Sequence, residues 1–267
     1  MPITHTVGPI TVTALLDGAG PAFLPRAEAF PEATAAQWAD ADRLDPAAVT
    51  ADGAWWLPFR SYAIRYADGP VTLVDAGIGP ENSLAASYAP VPGRLPEELR
   101  AAGIDPAEVT AIVLTHLHGD HVGWAVPADS PFTGARVIVQ RADVAAYTAD
   151  RDRAGQYDRL IEPLRQTGRL QEIEGGLVLA PGVRIVPTPG HTPGHQSVWA
   201  YAGSESLLVT GDLLVHALQL RYPELAYAND ADPGQARETR TRVLADTGAR
   251  GSVLAVSHLA VDFYPPA

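Results

Sequence analysis

The sequence predicts an α/β (α+β) protein, and two observations carry that prediction. Short runs of strand-forming residues alternate with amphipathic stretches along most of the chain. Histidines and aspartates also recur where strand-type runs end, the places at which loops on a rigid scaffold carry function. A length of 267 residues with 46% hydrophobic content suffices for one large domain with its own core.

In chain order, Ile10–Leu16 and Ser61–Tyr66 alternate in strand fashion. The second passes through an Asp68-Gly69 turn into the apolar run Val71–Val74. Between these strands, the segment from about Gly20 to Pro58 breaks the rhythm: it is rich in Ala and Pro yet carries Trp38, Trp55 and Trp56. It reads as an insertion or lid within a single domain spanning residues 1–267. Pro96–Ala102, opened by proline and closed by Gly103, reads as a short helix. Thr110–Thr115 is a continuous apolar run of strand length, the pattern of a strand buried on both faces. Arg136–Gln140 is a further strand, and Ala142–Tyr147 begins a helix. Gln156–Thr167 sets Leu160, Ile161 and Leu164 on one helical face and stops at Gly168. After a strand at Val183–Pro187, Ser197–Tyr201 and Ser206–Thr210 form a hairpin around Ala202-Gly203-Ser204. Pro233–Thr247 is a helix with Ala236, Val243, Leu244 and Thr247 on its buried face, and Val253–Val256 is a last short strand.

Composition excludes several chemistries. There is no cysteine, so disulfides, thiolate ligands, iron–sulfur clusters and cysteine nucleophiles are ruled out. All 19 basic residues are arginine, which removes Schiff-base and phosphate-loop lysines. A net charge of −12 with no basic run argues against nucleic acid as a partner. No apolar stretch approaches membrane-spanning length, and the opening Met1-Pro2-Ile3-Thr4-His5 lacks the pattern of a secretory leader. The expected setting is the cytoplasm.

The chemistry is concentrated in Thr115-His116-Leu117-His118-Gly119-Asp120-His121. With only 8 His in the chain, random placement produces this H-x-H-x-D-H spacing roughly once in two thousand sequences, which marks a metal site. Imidazole and carboxylate are the donors that first-row divalent metals take. Asp75, His191, Asp212 and His258 each follow a strand-type run. His116, His118, Asp120, His121, His191, Asp212 and His258 are more donors than one ion needs, so two divalent ions fit them better. The expected ions are zinc, with iron or manganese as alternatives. There is no G-x-S-x-G elbow, so a serine triad is not expected.

These motifs resemble the metallo-β-lactamase-fold hydrolases. The resemblance runs from about residue 60 to 260 and carries Val74-Asp75-Ala76-Gly77, Thr115–His121, Thr188–His195, Thr210-Gly211-Asp212 and Ser257-His258 in the family's order. It implies an αββα sandwich of two mixed β-sheets flanked by helices. It further implies that His116, His118 and His191 hold one metal, that Asp120, His121 and His258 hold the other, and that Asp212 bridges them. Asp75 would orient a ligand histidine, and His195 would stand just outside the ligands. A hydroxide bridging the metals would be the nucleophile.

Pro189–Ser197 is similar to the quorum-quenching lactonases, although Val215 replaces the tyrosine they carry three residues after the bridging aspartate. Asp212–Gln219, Ser257-His258-Leu259 and the helix around Thr239–Leu244 are similar to the methyl-parathion-hydrolase-like branch. The expected function is hydrolysis of a small ester or lactone, with phosphotriester hydrolysis as the alternative. A reading of another class is a non-hydrolytic or oxidative metal protein of the same fold. From position alone, Trp55, Trp56, Phe59, Leu213, Leu214, His216 and Tyr222 are candidates for the substrate pocket. The expected partner is a small molecule, with a homodimer left open.

Overall fold

The computed structural model describes residues 2–126, 130–149 and 154–265. Among these, β1 (Thr4–Val7), β2 (Ile10–Pro21), β3 (Trp56–Tyr66), β4 (Val71–Val74), β5 (Val109–Val113), β6 (Arg136–Gln140) and β7 (Leu170–Ile173) form one sheet in chain order. Strands β1 to β4 pair antiparallel, and β4 to β7 pair parallel. A second sheet has the order β12-β11-β10-β9-β8, built from β8 (Leu177–Ala180), β9 (Val183–Pro187), β10 (Gln196–Ala202), β11 (Glu205–Val209) and β12 (Val253–Ala255). All its pairs are antiparallel except β11 with β12.

The sheets lie face to face, because alternate residues of each inner strand are apolar on both sides. In β5, Ala111 and Val113 join Ile138, Val183, Val198 and Val209 between the sheets. Ile112, with Leu73 and Val137, points the other way, onto α3 (Leu95–Ala101), α5 (Arg141–Ala149) and α6 (Ala154–Gln166). The outer face of the second sheet packs Trp199, Leu208 and Leu254 against Val243 of α8 (Pro233–Arg250). Helix–sheet–sheet–helix layering therefore follows from strands that are hydrophobic on both faces.

Several boundaries differ from expectation. Strands β2 and β3 are longer than the alternating cores suggested, pairing as far as Pro21 with Trp56. The segment after β2 is thus an excursion from a long hairpin, containing α1 (Arg26–Ala29) and α2 (Ala35–Leu44). A capping box of Thr34 and Gln37 starts α2. Phe30, Ala41 and Trp55 of this excursion, with Leu57 at the start of β3, pack against Val215, Tyr227 and Leu218 of α7 (Ala217–Arg221). The short strands β1, β7 and β8 and the one-turn helix α4 (Gly119–Val122) lack any periodic signal. No helix among the described residues is long and apolar enough to cross a membrane.

Candidate metal centre

All the candidate ligands stand just past C-terminal strand ends. Asp75 follows β4; His116, His118, Asp120 and His121 follow β5, the last two on α4; His191 follows β9, Asp212 follows β11 and His258 follows β12. Because β4 to β7 run parallel, as do β11 and β12, these ends converge at one edge of the sandwich.

The structure draws the donors into two groups, each with its ligand atoms within 4.8 Å of one another. One is His116, His118, His191 and Asp212; the other is Asp120, His121 and His258. Asp212 spans them. Its Oδ2 lies 3.3 Å from His191 Nε2 and 3.8 Å from His116 Nε2. Its Oδ1 lies 3.2 Å from both His121 Nε2 and His258 Nε2. Gly211 permits this turn, since its φ of 55° is left-handed and a Cβ there would sit 2.7 Å from the Thr115 side chain.

Outer hydrogen bonds decide which way each imidazole faces. His121 Nδ1 donates to Asp75 Oδ2 at 2.8 Å, His191 Nδ1 to Asp230 Oδ1 at 3.0 Å, and His258 Nδ1 to the Pro58 carbonyl at 2.8 Å. The Thr115 hydroxyl donates to Asp75 Oδ2 and so accepts from His116 Nδ1, at 2.9 and 3.0 Å. Asp75, held at a left-handed φ of 61°, therefore orients His121 directly and His116 through Thr115. With their outer nitrogens protonated, these rings turn bare lone pairs inward.

That arrangement fits divalent cations. His118 Nδ1 lies 2.9 Å from His116 Nε2 and 3.1 Å from His191 Nε2, and His121 and His258 face each other at 3.3 Å between Nε2 atoms. Acceptors at such distances repel unless a cation lies among them. Asp212 Oδ1, buried and without a well-formed hydrogen bond, is the matching orphan. Burial pulls the His116 imidazole well below its usual range and His118 down to about 3, favouring the neutral form that ligates. Burial also opposes charge on His121 and His258, but Asp212 and its neighbouring carboxylates outweigh it and raise both. Asp212 itself is held well below the carboxylate range, since the facing His121 and His258 overcome the upward push of burial.

A cavity of about 350 Å³ opens onto His118, Asp120, His191, Asp212 and His258. Its opposite wall is Phe23, Leu57, Leu84 and Val215, with the phenols of Tyr88 and Tyr227 between. Among the described residues no arginine lines it.

None of the seven residues expected at a substrate pocket lines this cavity. Trp55 and His216 meet edge-on in an aromatic core with Phe30 and Trp38. Phe59 packs edge-on behind the His258 ring, 5.7 Å away. Leu213 and Leu214 are buried under α8, Trp56 points outward, and the Tyr222 hydroxyl donates to Asp40. Position beside a ligand did not place these side chains in the cavity, because their strand or turn phase sends them to the core or the surface. His195 is buried between Thr188, to which its Nδ1 bonds at 2.8 Å, and Gly211.

Sequence reasoning missed Tyr88, Asp230 and Arg240. Asp230 takes His191 on one oxygen and the buried Arg240 on the other, at 3.0 and 3.2 Å. It lies in Asn229-Asp230-Ala231-Asp232, where any aspartate reads as a turn or cap former.

Comparison with known proteins bears on the same residues. The sequence model described as the Metallo-beta-lactamase superfamily matches residues 56–258. An N-acyl homoserine lactonase of Bacillus cereus is 31% identical over 157 residues, covering 53% of this chain and 58% of that protein. The N-acyl homoserine lactonase AiiA of Bacillus thuringiensis subsp. kurstaki is 32% identical over 170 residues, covering 58% and 64%. The matches thus span less than two thirds of either relative. A crystal structure of AbOPH, a hydrolase in the β-lactamase superfamily, superposes with a TM-score of 0.79 at 25% identity, covering 98% of this chain and 91% of that one. AidC, described as a dizinc quorum-quenching lactonase, superposes at 0.78 with 18% identity over 99% and 96%, a likeness of fold.

Proposed function

This chain belongs to the metallo-β-lactamase superfamily, and we propose that it is a dinuclear metal-dependent hydrolase of a small, neutral lactone or ester. The observation that carries this reading is Asp212, whose two oxygens face two separate ligand groups. Two divalent cations held there would polarise the carbonyl under attack and supply hydroxide at neutral pH from a shared water. Zinc suits the imidazole-rich donors best, with iron or manganese as outcomes of metal analysis.

The residues of the chain itself account for binding and selection. Beyond the cations themselves, the described lining residues include no arginine that would select an anionic substrate. Phe23, Leu57, Leu84 and Val215 suit an apolar acyl or alkyl arm. The Tyr227 hydroxyl accepts from Asn229 Nδ2 at 3.1 Å and keeps its own proton for a substrate oxygen. Burial pushes that phenol upward, so it stays protonated. The excursion between β2 and β3 contributes Phe23 to the cavity, beside Leu57 at the start of β3, as an insertion in a single domain rather than a domain of its own. The curated lactonase relatives make N-acyl homoserine lactones the leading candidates.

The test is a hydrolysis screen of the metal-loaded protein against N-acyl homoserine lactones, aryl esters and phosphotriesters, alongside Asp120→Ala. Turnover of a lactone or ester that is lost in the variant supports the reading. Turnover confined to phosphotriesters supports the alternative, and absence of any variant-sensitive turnover overturns both. Redox-active iron with oxygen consumption would establish the oxidative reading instead. A cytoplasmic location and a homodimer belong to the same reading, and are tested by fractionation and sedimentation velocity.

A further inference from the structure

The stretch between β4 and α3 reaches the cavity through turns and bends, without a strand or helix of its own. Its base is fixed by one carboxylate. Asp17 stands at the register shift in β2 between Leu16 and Gly18, and its side chain is fully buried. It accepts from the Ile78 amide at 2.6 Å, the Leu95 amide at 2.5 Å and Trp124 Nε1 at 3.2 Å. Both ends of the stretch are thereby tied to the same group. Gly77 and Gly93 complete the seat, since a Cβ at either would lie 2.1 or 2.3 Å from an Asp17 oxygen.

The tip of the stretch is fixed by Asp120. The Tyr88 hydroxyl donates to Asp120 Oδ1 at 3.0 Å and accepts from the Asp120 amide at 3.0 Å. Gly119 makes room for it, because a Cβ there would stand 2.7 Å from the Tyr88 oxygen. The other Asp120 oxygen, Oδ2, is turned to His121 Nε2 and His258 Nε2, 3.6 Å from each. A phenol has one proton, and Tyr88 gives it to Oδ1 while a lone pair takes the amide. No proton is left to offer a substrate, which separates Tyr88 from Tyr227.

We propose that Tyr88 is a positioning residue: it holds Asp120 Oδ1 away from the ligand group, so that Oδ2 alone is presented to the second cation. This rests on the reading that Asp120, His121 and His258 hold that cation. The reason is torsional. A carboxylate turns about a broad, roughly two-fold χ2, so without the phenol it swings between one-oxygen, two-oxygen and outward arrangements. Outer partners that fix a ligand in this way are worth about ten- to a hundredfold in metal affinity or activity. The loop therefore serves the metal centre as well as walling the cavity, with Asp17 setting its base and Gly119 admitting its tip.

The test titrates metal-free protein with Co²⁺ and Zn²⁺ by calorimetry and visible spectroscopy, comparing the parent with Tyr88→Phe, which keeps the ring and loses the hydroxyl. The first equivalent should bind as in the parent. The second should bind about ten- to a hundredfold more weakly, with an altered cobalt spectrum. On any substrate found, kcat should fall over the same range while KM stays within about threefold. Parent-like second-metal affinity and spectrum in Tyr88→Phe would overturn the assignment, as would a rise in KM alone or a lower melting temperature of the metal-free variant with metal binding unchanged. If the parent itself takes up fewer than two equivalents, the two-cation reading fails, and the role of Tyr88 with it.

Discussion

The rim of candidate metal ligands and the apolar lining of the cavity are built in opposite ways. At the rim, each ligand lies a few residues past a strand end, and the outer nitrogens of His116, His121, His191 and His258 are tied to Thr115, Asp75, Asp230 and the Pro58 carbonyl. At the wall, Phe23, Leu57, Leu84, Val215 and Tyr227 come from separate segments that share no spacing. Leu57, Val215 and Tyr227 are held by packing in the cluster of Phe30, Trp38, Trp55 and His216. Leu84 instead packs against the core under the first sheet, and Phe23 meets Tyr88 edge-on. The rim is thus a set of directed polar bonds on a rigid edge, where the reaction chemistry is fixed. The wall is a packed aromatic surface, where selectivity can change without disturbing the ligands.

The largest effect that distinguishes the two is expected at Asp230. Asp230→Asn should weaken metal binding and turnover about ten- to a hundredfold by releasing His191. It should also cost about 3 kcal/mol of stability, because the buried Arg240 loses its counter-charge. Metal titration and urea unfolding measure the two effects separately. Lost stability with parent-like metal affinity would make Asp230 a packing residue and blur the distinction.

A smaller effect belongs to the wall. Burial among Phe30, Trp38 and Trp55 pulls His216 down to about 4, with Asp42 pulling it up and Arg26 down. The folded state then binds fewer protons than the unfolded chain between about pH 4 and 6.5. Stability contributed by neutral His216 is complete above pH 6.5 and is lost as pH falls toward 4, by about 3 kcal/mol. His216→Asn retains an acceptor for the Leu218 amide that starts α7 and removes the titration. The urea midpoint of that variant should depend less on pH across this window than the parent's does. An unchanged slope would show that the aromatic core does not hold His216 neutral.

The smallest effect is expected at the cavity mouth. Phe23 is 48% exposed and meets Tyr88 edge-on at 5.2 Å. Phe23→Ala should raise KM severalfold for substrates with long apolar arms, leave kcat and metal content unchanged, and shift stability by no more than about 0.5 kcal/mol. A comparable fall in kcat would mean that the wall reaches into the chemistry.

What was legible in the sequence follows the same division. His116 to His121 could be read because six residues of one turn carry four donors, and Asp212 and His258 because an apolar run announces the strand end before each. Apolar runs, alternation and helical faces placed β4, β6 and β9 at their observed bounds and α3, α6 and α8 close to theirs. The grouping of strands into two sheets came only with the family resemblance. The excursion between β2 and β3 was visible only as a break in rhythm. Two of its tryptophans, Trp55 and Trp56, were assigned to a pocket, whereas Trp55 went to the core and Trp56 to the surface, since a large aromatic satisfies either site equally well. Tyr88 had no signal at all, standing in a turn-rich stretch whose position depends on Asp17, 71 residues earlier in the chain.

By itself, then, the sequence determined the candidate donors and their order on the strand ends, because these are set by local spacing, while the layered sandwich was implied by the family resemblance. The tertiary structure decided which nitrogen of each tethered imidazole faces inward and which side chains line the cavity. Those depend on directed contacts between segments far apart in the chain, such as Asp230 with His191, Pro58 with His258 and Tyr88 with Asp120. A hydrogen bond needs a partner within about 3 Å at the right angle, and only the folded chain brings that partner there.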